Sequence, residues 1–171
     1  FEIVRDIKEK LCYVAMDYDS ELMRSRSTSE CDVSYTLPDG NIMYLSDERF
    51  RCPELMFKPH MNGFELDDLI KRIFNSIMKC DIGMRKELYN NIIVSGGSTM
   101  YKNFPERVQK DVSDWAPPSM NIRVIAKPNR KDADWLGGSI IAQLPQFKNM
   151  VITQDEYNDA GPGIVHRKCF F

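Results

Sequence analysis

Apolar residues recur at helical spacing from the start of the chain. Ile3, Ile7, Leu11, Val14 and Tyr18 fall on one stripe, which predicts an amphipathic helix over residues 2–18. The polar, small-residue run "RSRSTSECDVS" predicts an exposed loop. "SYTLPDGNIMYL" places two partly alternating apolar runs around Pro38-Asp39-Gly40 and predicts a β-hairpin. "RCPELMFKPHMNGFE" holds two prolines and a glycine and reads as irregular chain with short helical turns. Leu69, Ile70, Ile73, Ile77 and Met78 form a second helical stripe, with Asp67 or Asp68 as its N-cap.

The period then changes. "GMRKELYN" adds one or two helical turns, and the short β-branched "NIIVS" predicts a buried strand. Phe104, Val108, Val112 and Trp115 mark a helix that tolerates Pro105 in its first turn and stops at "APPS". "NIRVIA" predicts another strand, and "ADWLGGSIIAQL" an apolar helix. Thr153 and Glu156 have capping-box spacing ahead of a short helix that Gly161-Pro162 ends. Strand, turn, helix, strand and helix between 90 and 144 define an α/β unit. A composition break near 60–66 separates two lobes in this reading.

Composition narrows the classes. With 171 residues, 43% hydrophobic and 28% charged, the chain has the balance of a globular protein. A net charge of -2 gives no general electrostatic reason to bind nucleic acid or an anionic membrane. No apolar run approaches the roughly 18 residues of a spanning helix. The five cysteines are scattered, without C-x-x-C, and His60 and His166 stand alone, so neither a zinc site nor a histidine triad has a framework. Phe1 opens straight into helical patterning, from which a fragment lacking its amino-terminal part is expected.

The candidate chemistry lies in "IIVSGGSTMY". Gly96 and Gly97 allow unusual dihedrals and close approach to the main chain. Amides at such a turn favour phosphate oxygens, Ser98 and Thr99 add hydroxyls, and Met100 and Tyr101 offer a surface for a purine. The turn is neither a Walker A loop nor G-x-G-x-x-G. On residue types alone, an ordinary strand-to-helix turn remains the competing reading.

The flanking segments make a resemblance specific. "IVRDIKEKLCYVAMD", "SYTLPDG", "ERFRCPELMFKP", "FNSIMKCDIGMRKELYNN", "SGGSTMY", "WLGGSIIAQL", "DEY" and "GPGIVHRKCF" resemble actin, in actin's order and without gaps. The resemblance covers essentially the whole chain. It implies an α/β, actin-like ATPase (ribonuclease H-like) fold, carboxy-terminal half only. Residues 1–64 would be a subdomain-four-like lobe, 65–132 a subdomain-three-like α/β unit, and 133–171 the carboxy-terminal helices and tail of subdomain one. It also implies that Gly96, Gly97, Ser98, Met100 and Tyr101 hold the adenosine and its phosphates. Lys8 and Glu9 would meet the nucleoside, and Lys131 would flank the adenine. Ser98 stands where the family usually has threonine, Gly83 where it has an acidic residue, and Phe171 extends the usual ending by one residue.

The implied cofactor is ATP or ADP with Mg2+ or Ca2+. The family's water-positioning glutamine and histidine, its metal-holding carboxylates and its phosphate hairpins have no equivalent here. The expectation is therefore that this segment alone does not catalyse hydrolysis, and no catalytic residue or metal ligand is assigned. Leu136, Ile140, Ile141, Leu144 and Met150 resemble the family's partner cleft, which receives amphipathic helices of actin-binding proteins and a loop of the next subunit. Periodicity alone makes Leu136, Ile140 and Leu144 core residues instead. The resemblance implies self-association into filaments, a cytoplasmic, cytoskeletal location, no nucleic-acid partner and no membrane insertion. The alternative is an actin-related scaffold subunit of a larger complex that binds nucleotide without polymerising.

Overall fold

The computed structural model describes residues 1–169. The Phe171 extension and the Phe170 that precedes it lie outside the described residues. The chain forms two compact units, Phe1–Lys131 and Asp132–Phe171.

The first unit begins with α1 (Glu2–Leu11). The predicted helix to residue 18 is corrected here: it ends seven residues early, and Cys12 is already extended (φ -79, ψ 148). The apolar period nonetheless continues, because Val14 and Ala15 are buried by tertiary packing rather than along a helix. Tyr13 N donates to Arg49 O at 3.1 Å and Val14 N to Lys102 O at 2.9 Å, so this segment finds its backbone partners elsewhere in the unit.

A second helix, α2 (Tyr18–Ser27), then occupies part of the predicted loop. Asp17 caps it, accepting from Ser20 N at 3.0 Å, and acidic residues in its first turn with basic ones in its last complement the helix dipole. The hairpin forms as predicted, with β1 (Val33–Thr36) antiparallel to β2 (Ile42–Leu45) and Gly40 at φ +86 in the turn. Then come α3 (Glu48–Glu54) and a 3-10 turn at Pro59–Asn62. Next is α4 (Leu69–Met78), whose N-cap Asp68 accepts from Lys71 N at 2.7 Å.

The α/β portion consists of α5 (Ile82–Tyr89), β3 (Ile92–Ile93), a 3-10 turn at Gly97–Met100, α6 (Phe104–Trp115) and β4 (Val124–Ile125). β3 and β4 pair in parallel, Ile92 with Val124 and Ile93 with Ile125, and α6 is the crossover between them. The expected strands shrink to two residues each. β3 is also not fully buried: Ile92 packs on the core while Ile93 is 73% exposed, the alternation of a strand covered on one face.

One hydrophobic cluster joins Val14, Phe57, Ile70, Ile77, Tyr89, Phe104, Val108 and Val112. A smaller one gathers Ala15, Tyr18 and Phe50. A buried charge cluster lies beside them. Arg107 Nη2 and Nη1 donate to the two oxygens of Glu54 at 3.1 and 3.3 Å, Nη1 also to Ala15 O at 2.5 Å, and Nε to Asp111 at 2.6 Å. Burial pushes the Glu54 carboxyl up, and the guanidinium opposes that shift. The rigid fork of the Arg107 guanidinium thus makes four hydrogen bonds, the geometry in which a buried ion pair holds.

The second unit is helical: α7 (Ala133–Gln143), α8 (Phe147–Met150), α9 (Gln154–Ala160) and α10 (Ile164–Lys168). The predicted capping box is present. Thr153 Oγ1 accepts from Glu156 N at 3.3 Å, and Glu156 accepts from Thr153 N at 2.8 Å.

Candidate functional site

Three segments of the first unit converge at the carboxyl end of β3. Gly96 adopts φ +87, ψ 159, a conformation essentially restricted to glycine, and so turns the chain out of the strand. Its amide donates to Arg130 O at 2.8 Å, and its carbonyl accepts from Thr99 N at 3.1 Å and Thr99 Oγ1 at 2.8 Å. Arg130 closes the assembly, donating through Nη2 to Thr99 O at 2.9 Å. Arg130 is the residue that sequence reasoning missed here, and the Thr99 hydroxyl, read from the sequence as a donor at the turn, is spent on Gly96 O. Nothing local in the sequence marks Arg130.

The third segment arrives through the Tyr13–Lys102 bridge and the Val14–Lys102 hydrogen bond, which lay the chain after α1 against the end of the turn. That brings Lys8 and Glu9, in the last turn of α1, to the same place. Lys131 Nζ lies 3.8 Å from Glu9 Oε2. The result is a cavity of about 440 Å³ lined by Lys8 and Glu9 on one side, Gly97, Ser98, Met100 and Tyr101 on another, and Lys131. Seven of the eight residues singled out for cofactor contact line it. Gly96 does not; it stands behind the wall and sets its shape.

The volume falls in the range of small-molecule pockets, roughly 300–1,000 Å³. Its chemistry is graded. Tyr101 packs on the main core with its hydroxyl pKa raised by burial, while Met100 remains 40% exposed. Two lysines and one carboxylate supply the polar groups. A larger hollow of about 860 Å³ lies along α6, shares Met100 and Tyr101, and reaches Arg130. It lacks both the α1 side chains and the glycine turn, so the smaller cavity is the better candidate.

Gly97, like the other glycines of the chain, has open space where a side chain would stand. Its backbone lies outside the left-handed region, and a Cβ built on it meets no atom within 4 Å. Folding therefore does not require glycine there, and the missing side chain leaves open space directly against the main chain. The lining offers Tyr101 and Met100 as apolar surface, the Glu9 carboxylate as a hydrogen-bond acceptor and the two lysines as cationic donors. Among the described residues, no group of three or more His, Cys, Asp and Glu is placed to hold a metal ion.

The proposed partner cleft is in the second unit. Leu136, Ile140 and Ile141 on α7, Leu144 at its C-cap and Met150 at the end of α8 are 41–57% exposed. α7 has no buried residue. The core reading of Leu136, Ile140 and Leu144 is therefore corrected: within this chain the stripe is surface.

A parallel β-strand pair with a helical crossover, and a polar pocket at a strand's carboxyl end, define a mixed α/β protein with the usual ligand position of that class. A protein-family model described as Actin matches residues 1–170, and the chain belongs to the actin family. In general terms it is a cytoskeletal, actin-like protein of a family that binds nucleotide with a divalent metal. No helix among the described residues is long and apolar enough to cross a membrane.

Proposed function

We propose that the cavity between α1, the glycine turn and Lys131 binds the adenosine of ATP or ADP, and that this nucleotide controls assembly of the protein into filaments. The observation that carries the reading is the convergence on one cavity of Lys8, Glu9, the 97–101 turn and Lys131, from three separate parts of the sequence. In this reading Glu9 accepts from the ribose hydroxyls and the Lys8 stem lies along the base. Lys131 borders the adenine, and Tyr101 with Met100 backs the nucleoside. Gly96, held by Arg130, fixes the turn so that Gly97 and Ser98 present amide and hydroxyl donors toward the phosphates. Bound ATP supplies the phosphoanhydride whose cleavage times filament turnover. The residues named here bind and orient it, and none is assigned a catalytic or metal-holding part.

The exposed stripe Leu136, Ile140, Ile141, Leu144 and Met150 is the proposed seat for amphipathic helices of actin-binding proteins and for a neighbouring subunit. The test is equilibrium binding of a fluorescent ATP analogue to the longest natural polypeptide that carries this chain, followed by sedimentation with ATP and magnesium. Saturable binding lost in Glu9→Ala, together with pelleting, is expected. Absence of saturable binding overturns the nucleoside reading. Binding without pelleting favours the scaffold-subunit alternative.

A further inference from the structure

Two cysteines from distant parts of the first unit are brought together at Arg49. Cys12 sits immediately after α1, and Cys52 is on α3. The backbone explains why they meet. Arg49, one helical turn before Cys52, donates through Nε to Leu11 O at 3.0 Å and accepts at its carbonyl from Tyr13 N at 3.1 Å. Cys12 is thus flanked on both sides by bonds to Arg49, on the face of α3 that also carries Cys52. Cys52 is accordingly a neighbour that acts on both the Cys12 thiol and the Tyr101 hydroxyl. Both cysteines are reduced, Cys12 half-buried and Cys52 exposed.

We propose that Cys12 and Cys52 are a dithiol site that a hydroperoxide closes to an intramolecular disulfide, tying the end of α1 to α3 directly behind Tyr101. The exposed Cys52 reacts first. Its thiolate attacks one peroxide oxygen, the O–O bond breaks, and the leaving oxygen takes a proton to depart as water or an alcohol. The resulting Cys52 sulfenic acid is then attacked by the Cys12 sulfur, which loses its proton as the S–O bond breaks and water leaves. In sum, two thiols and one hydroperoxide give one disulfide, one alcohol (or water) and one water; the thiols are oxidised and the peroxide reduced. Burial holds the Cys12 thiol protonated, with its pKa pushed up to about 11, which suits it to the second step rather than the first. Two further cysteines of the first unit make other thiol contacts: Cys31 is buried with its thiol beside Arg24 and its carbonyl accepting from Arg49 Nη1 at 2.6 Å, and Cys80 lies beyond α4 with its thiol on Ser76 O.

The experiment treats the full chain, without nucleotide, with hydrogen peroxide under native conditions. Accessible thiol is counted after unfolding, and peptides are mapped by mass spectrometry. The expected result is a fall from five thiols to three, a cross-linked Cys12–Cys52 peptide, its loss in Cys52→Ser and its retention in Cys80→Ser. A phenylarsenoxide probe gives a second measurement on the unaltered chain, since it condenses with two neighbouring thiols and releases one water. One equivalent should protect Cys12 and Cys52 together from alkylation. Sulfinic acid on Cys52 with Cys12 still reduced, cross-links to other cysteines, or arsenical capture elsewhere would overturn the proposal. Because the mapping is done without nucleotide, its outcome is separate from the fate of the nucleoside reading.

Discussion

Lys131 Nζ sits 3.8 Å from Glu9 Oε2, which ties the segment after β4 to the last turn of α1. Both side chains are about half exposed, so solvent screens the pair and its worth to the fold is at most about 1 kcal/mol. The pairing is better understood as a way of holding two polar groups at the rim of one cavity. Glu9→Ala should therefore leave the melting temperature nearly unchanged while weakening nucleotide retention. A hydrogen bond to a charged acceptor contributes about 1.5–3 kcal/mol, so the off-rate of a fluorescent ATP analogue should rise about ten- to hundred-fold. An unchanged off-rate would remove Glu9 from the site.

The two glycines of the turn should respond in opposite ways. Gly96 is held at φ +87, ψ 159, where any side chain strains the backbone, so Gly96→Ala should cost about 1–3 kcal/mol of stability. Gly97 faces open space, so Gly97→Ala should fold with a change within about 0.5 kcal/mol, yet its methyl group should obstruct a ligand lying on the main chain. Urea titration and analogue binding, run on both variants, separate the two roles. Full-affinity binding by Gly97→Ala would show that nothing approaches that backbone closely.

These residues also show how much of the molecule could be read from its sequence. The α6 stripe, the hairpin at Pro38-Asp39-Gly40 and the Thr153–Glu156 box formed because each rests on a local signal: apolar period, turn residues or cap spacing. The end of α1 was not visible. Leu11, Val14 and Tyr18 keep helical spacing, but Tyr13 and Val14 bond to Arg49 and Lys102 while Val14 and Ala15 are buried by packing, contacts with no local trace. Asp17 with Ser20 was the one local hint that a new helix starts there. The cavity was legible only in parts. The glycine turn announces itself, but Lys8 and Glu9 look like any solvated helical face, and only the family resemblance placed them beside it.

Arg107 and Glu54 test the core. The guanidinium is almost fully enclosed, stacks 4.8 Å over the Phe57 ring and satisfies Glu54, Asp111 and the Ala15 carbonyl at once. Arg107→Met would strand the Glu54 carboxylate without its partner and should cost about 3–5 kcal/mol in urea unfolding. The double variant Arg107→Met, Glu54→Leu should recover much of that loss, since the uncompensated charge is gone. A double variant as unstable as the single one would place the cost in packing rather than in charge.

The surface character of α7 yields a distinct prediction. Ile141 is 44% exposed, so Ile141→Asp should cost under about 1 kcal/mol of stability, mostly as lost helix propensity. A charged side chain there should weaken binding of an amphipathic actin-binding helix by tenfold or more, since burying an unpaired carboxylate is expensive. Nucleotide binding should stay the same. Fluorescence anisotropy with a labelled partner helix checks the first claim, and loss of fold in the variant would restore the core reading of the stripe.

Glu156 makes the second unit sensitive to acid. Its carboxylate accepts from Lys168 Nζ at 2.6 and 2.5 Å and from Thr153 N at 2.8 Å, and these bonds hold its pKa near 2 against an ordinary value of 4.5. A carboxyl whose pKa is depressed by folding stabilises the folded state only while ionised there. The contribution is full above pH about 4.5 and is lost as pH falls from there toward 2, where the folded form also takes up the proton. Glu156→Gln removes the charge while keeping an oxygen for the cap. Its melting temperature should therefore lie below that of the unaltered chain at pH 7, and the gap should close steadily below pH 4.5. Added salt should shrink the gap at neutral pH, because Lys168 and Glu156 are only partly shielded from solvent. A gap that stays constant down to pH 2 would mean that the Lys168 contact does not hold the carboxylate in its charged form.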